Sequence, residues 1–469
     1  MRVINYAVVG GYGMCTYPPP RGGAQQDPSL MRRVVWAIAW LGLFAGGCRE
    51  QQEAEVPEQL DAEDYGALPS LKLTPDQKLR DELARITEEG GTPELLSKAR
   101  IAEEDNVAAG LAGLLPDTAI DAVLKGSEKI FPAGKFQFDP IRLQRTINFR
   151  RRYDAQRLQA RRALGRPQCE FGIRFTAGLQ AQWKFIDVVR ICARLEAFAA
   201  AESLADHRLD EAIESLGLML RWASCLGAEK LPMARLEAAF LRAEAFRVLQ
   251  AIVEDERIAR KHLDRLYEMV EGQLTTWPDD AHAWIGDRAL GLHAYEMVRA
   301  GHLRDLLSQE EIEQFQAEDL LQEVLAAAMR NVNHDELYYL QTMRKIIASC
   351  SQPYHARRSL FDSIGSDLQE NRSSPEFPFV AVWVLLLPEV RKGHAIQAQD
   401  RANWEAWALA LALASGRAMP AYRINPLTAE EYRYEKYDRT IEVTNFGSGR
   451  GGDNPSIVVP DLSGGDEPR

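Results

Sequence analysis

Residues Leu179 to Glu254 read LQAQWKFIDVVRICARLEAFAAAESLADHRLDEAIESLGLMLRWASCLGAEKLPMARLEAAFLRAEAFRVLQAIVE. Trp183, Ile186, Ala193, Ala197, Ala200 and Leu204 recur at helical spacing and predict a first helix from Leu179 to about Leu204. A second follows Asp206, an N-cap residue type, with Leu209, Ile213, Leu216, Leu220 and Leu226 on one stripe before Gly227. A third opens at Pro232, tolerated in a first turn, and carries Leu236, Phe240, Ala243, Phe246, Leu249 and Val253. The links are a few residues long, so neighbours must fold back as antiparallel hairpins. Leu216 and Phe240 are expected to share a core, with Arg221 and Glu237 facing outward.

Working outward, the same periodicity predicts helices at 75–89, from Thr92-Pro93-Glu94, at 117–126, 259–273, 279–300, 309–331, 335–349, 354–369 and 400–414. Cys169 to Thr176 (CEFGIRFT) alternates like a short strand, and Glu431–Tyr437 with Thr440–Phe446 predicts a β-hairpin around Asp438-Arg439. The fold class expected is therefore mainly α: stacked antiparallel helical hairpins, solenoid- or bundle-like, over 74–368. A small α+β module is expected at 375–446, and a disordered tail at 447–469 apart from Ile457-Val458-Val459. Phe377 to Leu387 is apolar but too short to span a bilayer.

The 469 residues are 46% hydrophobic and 26% charged, an ordinary globular balance. A net charge of −12 argues against a dedicated nucleic-acid binder, which needs a basic footprint.

Met31 to Cys48 read MRRVVWAIAWLGLFAGGC, with Arg32-Arg33, an apolar run from Val34 to Ala45, and Gly46-Gly47-Cys48. Twelve helical residues reach about 18 Å, short of a hydrocarbon core of about 30 Å, so 31–47 is expected to be a targeting segment. Ala45-Gly46-Gly47-Cys48 resembles the lipobox of bacterial lipoproteins, which implies lipidation of Cys48, export and a membrane partner through that lipid. Arg49 follows the cysteine where inner-membrane-retained lipoproteins have aspartate, which implies outer-membrane sorting if two membranes are present. On this reading translation starts at Met31 and residues 1–30 are a mis-assigned start or a disordered extension. Residues 48–73, acidic and bearing Pro57 and Pro69, are expected to be a disordered tether. Removing 1–47 takes away four arginines and one aspartate, leaving −15. Cys169, Cys192, Cys225 and Cys350 then remain besides Cys48, and four cysteines allow three complete pairings. Cys192 with Cys225 is disfavoured, because the two stand at different heights on their hairpin.

Arg142 to Arg166 holds nine arginines against one acid, Asp154, with Phe149 and Tyr153 between them. Arg150, Arg151 and Arg152 are the candidate anion-binding residues. The expectation, however, is that the segment pairs with the acidic remainder of the chain.

Candidate chemistry is sparse. Asp279-x-x-His282 and His293-x-x-Glu296 fall on one predicted helix. The histidines, eleven residues apart, are separated by only about 20° around its axis. His282, His293 and Glu296 are the metal-ligand candidates, and a metal-dependent or other hydrolase sited on 279–302 is the alternative function. Gly447-Ser-Gly449-Arg-Gly-Gly452 satisfies GxGxxG, but Asp453-Asn454-Pro455 cannot open the helix a pyrophosphate needs. GxxxxGK[ST], HExxH and GxSxG are absent from the chain. No cofactor is implied.

Asp210-Glu211-Ala212-Ile213, with Ala200 twelve residues before Ala212, resembles part of a tetratricopeptide repeat; one unit later Phe246 takes the alanine position, so degenerate hairpins are expected. Asn425-Pro426-Leu427-Thr428, Tyr432-Arg433-Tyr434, Phe446-Gly447 and Gly451-Gly452-Asp453-Asn454 resemble the C-terminal part of type II secretion major pseudopilins. That resemblance implies a turn, a tyrosine-bearing strand and a calcium-capable loop; Asn425 and Arg450 depart from its pattern, and the prepilin leader is missing. The layout as a whole is similar to large bacterial exported proteins. The expected role is an exported lipoprotein acting as an envelope scaffold or protein-interaction module, with a protein partner in the envelope.

Overall fold

A computed structural model describes residues 69–98, 100–180, 183–307, 309–317, 321–372, 390–447 and 455–464. The chain divides into two units, 1–80 and 81–469. The described part of the first unit is the opening of α1 (Pro69–Glu88). The expected signal peptide, Cys48, most of the tether, the apolar run 377–387 and the glycine/aspartate loop 451–454 lie outside the described residues.

The second unit is mainly α with a small antiparallel sheet. After α1 come α2 (Pro93–Leu96), α3 (Asp117–Ile130), α4 (Pro140–Arg152) and α5 (Asp154–Leu164). The hairpin stack follows as α6 (Lys184–Ala205), α7 (Leu209–Gly227) and α8 (Pro232–Val253). Next are α9 (Arg260–Thr275), α10 (Asp280–Arg299), α11 (Leu303–Leu306), α12 (Gln309–Ala317) and α13 (Leu321–Arg330). The last helices are α14 (Val332–Ser349), α15 (Tyr354–Arg372) and α16 (Val390–Ser415), before β1 (Arg433–Lys436), β2 (Thr440–Thr444) and β3 (Ile457–Pro460).

The closest packing in the unit is α6 against α7 and α7 against α8, as short hairpin links require. On α6 every residue from Ile191 to Ser203 is buried. A helix apolar on one stripe needs one neighbour, whereas one buried all round must be enclosed. Accordingly α3, α4 and α5 cover α6 on the side away from the stack.

Two of the apolar clusters of the unit join its main elements. One joins Leu216, Leu220, Val248 and Leu249 of the hairpins to Trp404 and Trp407 of α16 and to Ile441, Val443, Ile457 and Val459 of the sheet. The other collects Val189, Trp222, Leu226 and Leu241 with Ile173 and Phe175. Leu216 belongs to the first, while Phe240 lies half-buried at the edge of the second.

Because α16 packs on α8 and α9, and the sheet packs on α16 and α8, the C-terminal elements share the hairpins' core. Their contacts form no boundary near 368–375. The sheet order is β1-β2-β3, antiparallel, with Arg433 opposite Thr444 and Val443 opposite Ile457. Ile441 and Val443 point inward, and Ile457 and Val459 do the same across the pairing, the two-residue period of a half-buried sheet. α16 begins ten residues before the periodic stretch expected for it.

Three local expectations differ from the structure. Cys169–Arg174 form no strand, because Gly172 adopts φ +59 and turns the chain. The residues that follow form a 3₁₀ turn, Phe175–Gln180. The first hairpin helix, expected from Leu179, begins at Lys184, because Gly178 (φ +56) kinks the preceding turn and Trp183 is non-helical (φ −108, ψ 49). Glu237, expected to face outward, is 8% exposed and bonded to Arg190. Among the described residues no helix is long and apolar enough to cross a membrane.

Candidate functional site

Asp279 caps α10 by accepting the Ala281 N–H at 2.9 Å, which starts the helix where its sequence predicts. His282 is exposed in the first turn. His293 is half-buried against Gly178, where an added Cβ would lie 1.9 Å from Nδ1; glycine with φ +56 is what lets the chain pass. Glu296 is exposed and paired with Arg299 at 3.1 Å. The shared face is real, but eleven residues along an α-helix amount to about 16 Å, too far for one ion to reach both imidazoles. Among the described residues no group of three or more His, Cys, Asp or Glu side chains is placed to hold a metal ion.

The arginine segment forms α4 and α5, joined by Tyr153 alone (φ −109, ψ 21). Its cations divide by helical phase. Arg150 meets Glu202 at 2.7 Å and Asp154 at 2.8 Å, and Arg151 reaches Glu202 at 3.4 Å. Arg157 bridges Asp154 (3.0 Å) and Glu196 (3.4 Å), and Arg161 reaches Glu196 at 2.6 Å. The bond to Glu196 holds the Arg161 guanidinium above its ordinary pKa. Arg142 donates to the Ile130 and Phe131 carbonyls, and Arg166 to those of Glu103 and Asn106. The reason lies in α6: Glu196 is 1% exposed and Glu202 9%, and buried carboxylates are costly unless charge-paired. Of the three candidate anion binders, Arg150 is thus committed to the interior and Arg151 touches Glu202. Arg152 is exposed and has no partner among the described residues.

A second set of charges, at core positions, ties the stack together. Arg194 is bidentate to Glu244 and donates to Ser127 at 3.2 Å. Arg190 pairs with Glu237, and the guanidinium carbons of Arg190 and Arg194 lie 5.4 and 5.7 Å from the Phe240 ring centre. Burial pushes the Glu244 carboxyl up against the pull of Arg194.

Towards α16, Arg242 meets Asp400 at 2.7 Å and stacks on Trp277 at 4.6 Å. Asp280, at the start of α10, holds both Arg235 and Arg357 at 3.1 Å. Arg235, lowered to about 10 by burial, also caps the Gly227 and Pro278 carbonyls. Arg357 donates to His394 Nδ1 at 2.9 Å, a geometry that assigns the ring proton to Nε2. His394 is wholly buried and stacked on Trp284 at 4.3 Å. Burial and Arg357 hold its pKa well below the usual imidazole range, so the ring is a neutral acceptor that joins α10, α15 and α16.

These core charges were missed in the sequence because no motif contains them. Their signal is charge in phase with apolar positions: Arg235 and Arg242, seven apart, share a stripe with Ala238, Ala245 and Leu249.

The four cysteines of the second unit are free thiols. Cys169 is in hydrogen-bonding contact with Cys225, which with burial pushes its thiol far up, and burial does the same for Cys192 and, to about 12, for Cys350. At the α6–α7 turn, an open depression of 330 Å³ is lined by His207, Arg208, Asp210, Arg257, Lys261 and His262 among others. Its arginines are paired, Arg208 with Asp206 and Glu211, and Arg257 with Asp255.

In the segment that resembles pseudopilins, Asn425 is fully buried. It donates to the Asn445 and Gly447 carbonyls at 3.3 and 3.1 Å and accepts the Leu427 N–H at 2.8 Å. An aspartate there would face two carbonyls with no proton to give. Tyr432 donates to Glu405 of α16 at 2.8 Å. Comparison with family models, with curated proteins and with solved structures finds no match to this chain.

Proposed function

We propose that this protein is an exported, lipid-anchored scaffold of a bacterial envelope whose helical body presents surfaces to other envelope components. The observation that carries the reading is the segment Met31–Cys48, with its paired arginines, twelve apolar residues and small residues before a cysteine. The helical body is compatible with it. Arginine–carboxylate pairs cross between α5 and α6, α6 and α8, and α8 and α16. Such pairs fix helix register, the property a scaffold needs and a mobile catalytic lid does not. In a two-membrane cell Arg49 directs the protein to the outer membrane.

The test is Cys48→Ser, followed by detergent phase partitioning and by incorporation of a labelled fatty acid. Loss of the label and passage to the aqueous phase are expected. Unchanged membrane association of the variant refutes lipid anchoring.

A further inference from the structure

Seven of the exposed residues of 140–164 follow one phase. Positions 141, 145, 148, 152, 155, 159 and 162 are all exposed, and they recur in steps of four and three, the spacing of one helical face. Tyr153 (φ −109, ψ 21) breaks the helix between α4 and α5, so the stripe has two parts, about 16 Å over 141–152 and about 10 Å over 155–162. Arg145, Arg152 and Arg162 stand on it, exposed and without partners among the described residues. Ile141, at 69% exposed, and Leu158, at 42%, lie on or beside it.

No carboxylate occurs among the exposed positions of 140–164. Asp154 is half-buried and held by Arg150 and Arg157. In a chain of net −12, a stripe with cations only is a local inversion of sign. The inward phase of the same two helices is committed to Glu196 and Glu202.

We propose that this outward stripe of α4 and α5 is a docking surface for anionic phospholipid headgroups. Arg145 and Arg152, about 10 Å apart along α4, with Arg162 on α5, present guanidinium forks that suit a lateral array of phosphates. Two exposed aliphatic side chains among them suit the apolar boundary beneath the headgroups. A helix with a cationic outer phase, lying flat, meets a membrane along its whole length.

The experiment uses the full chain carrying Cys48→Ser, so that its outcome is independent of lipid anchoring. Binding is measured by co-sedimentation with vesicles of equimolar phosphatidylglycerol and phosphatidylcholine, against pure phosphatidylcholine, at low and high salt. Each arginine near an anionic surface contributes roughly fivefold to partitioning. Arg145→Gln, Arg152→Gln and Arg162→Gln together are expected to weaken anionic-vesicle binding about a hundredfold without lowering the melting temperature. Ile141→Ser with Leu158→Ser is expected to remove the binding that survives high salt. The companion triple variant Arg150→Gln, Arg157→Gln, Arg161→Gln is expected to unfold earlier. Equal binding to both vesicle types, equal binding by the outward triple variant, or no vesicle binding by the parent overturns the proposal. Binding of poly-glutamate in place of vesicles overturns it too, and assigns the stripe to an acidic protein.

Discussion

Replacing Asp400 with leucine takes away the carboxylate that Arg242 meets at 2.7 Å, 158 residues away in sequence. Both side chains are buried, at 2% and 4% exposure. The single change leaves a guanidinium in the interior whose remaining favourable contact among the described residues is the face of Trp277 at 4.6 Å. An unpaired buried charge costs about 3–5 kcal/mol, of which a partly desolvated cation–π contact returns about 1 kcal/mol. Asp400→Leu should therefore lose about 3 kcal/mol, and Arg242→Met, which strands the carboxylate and loses the stacking, about 4 kcal/mol. The double variant puts apolar side chains of similar volume in both places and should lie within about 2 kcal/mol of the parent. The assay is urea unfolding of all four proteins, monitored by far-ultraviolet circular dichroism and by tryptophan fluorescence. Coincident transitions by the two probes license the comparison of free energies. The coupling energy expected is about 5 kcal/mol. Losses that simply add, or single-variant losses under about 1 kcal/mol, would show that the pair does not clamp α8 to α16 and refute the reasoning.

Two further outcomes follow from the buried titratable groups. Burial raises the Glu229 carboxyl from 4.5 to about 7, although it accepts the Phe171 N–H at 2.8 Å. A raised folded-state pKa means that the native protein holds this proton more tightly than the unfolded chain. Its contribution is therefore full below about pH 4.5 and is lost as the pH climbs through about 7. Glu229→Gln should reduce the fall in urea midpoint between pH 5 and pH 8, and an unchanged pH dependence would contradict the assignment. Cys169, Cys192 and Cys350 all have thiols pushed up by burial or by the Cys169–Cys225 contact, so iodoacetamide at pH 8 should label none of them in the native state and all of them in urea. Prompt native labelling of Cys192 would count against its burial.

The hairpin stack was legible because it rests on local physics. A 3.6-residue apolar period, proline at a first turn and short polar links determine where α6, α7 and α8 run and that they fold back on each other. The β-hairpin at 433–444 was legible for the same reason, since alternation around Asp438-Arg439 is a property of one short stretch. The candidate metal face failed on a different point. Angular phase along α10 can be counted from sequence, and so can the rise of about 16 Å between His282 and His293, but the arrival of further ligands from other helices cannot.

What tertiary structure alone decided is which charges go inside. Periodicity treats arginine and glutamate as outward residues, and for Glu237 that expectation inverts because Arg190 of the neighbouring helix reaches it. The nine arginines of 142–166 look uniform as composition. Burial of Glu196 and Glu202 on α6 divides them into an inward set that neutralises those carboxylates and an outward set that faces solvent. The place of the C-terminal helix was likewise undetermined until Trp404 and Trp407 met the hairpin core and Asp400 met Arg242. By itself the sequence determined the α6–α8 hairpins and most of the other helices, because those depend on neighbours along the chain. The buried pairs were settled only by folding, since a charge enters the core when a partner arrives from far along the chain to meet it.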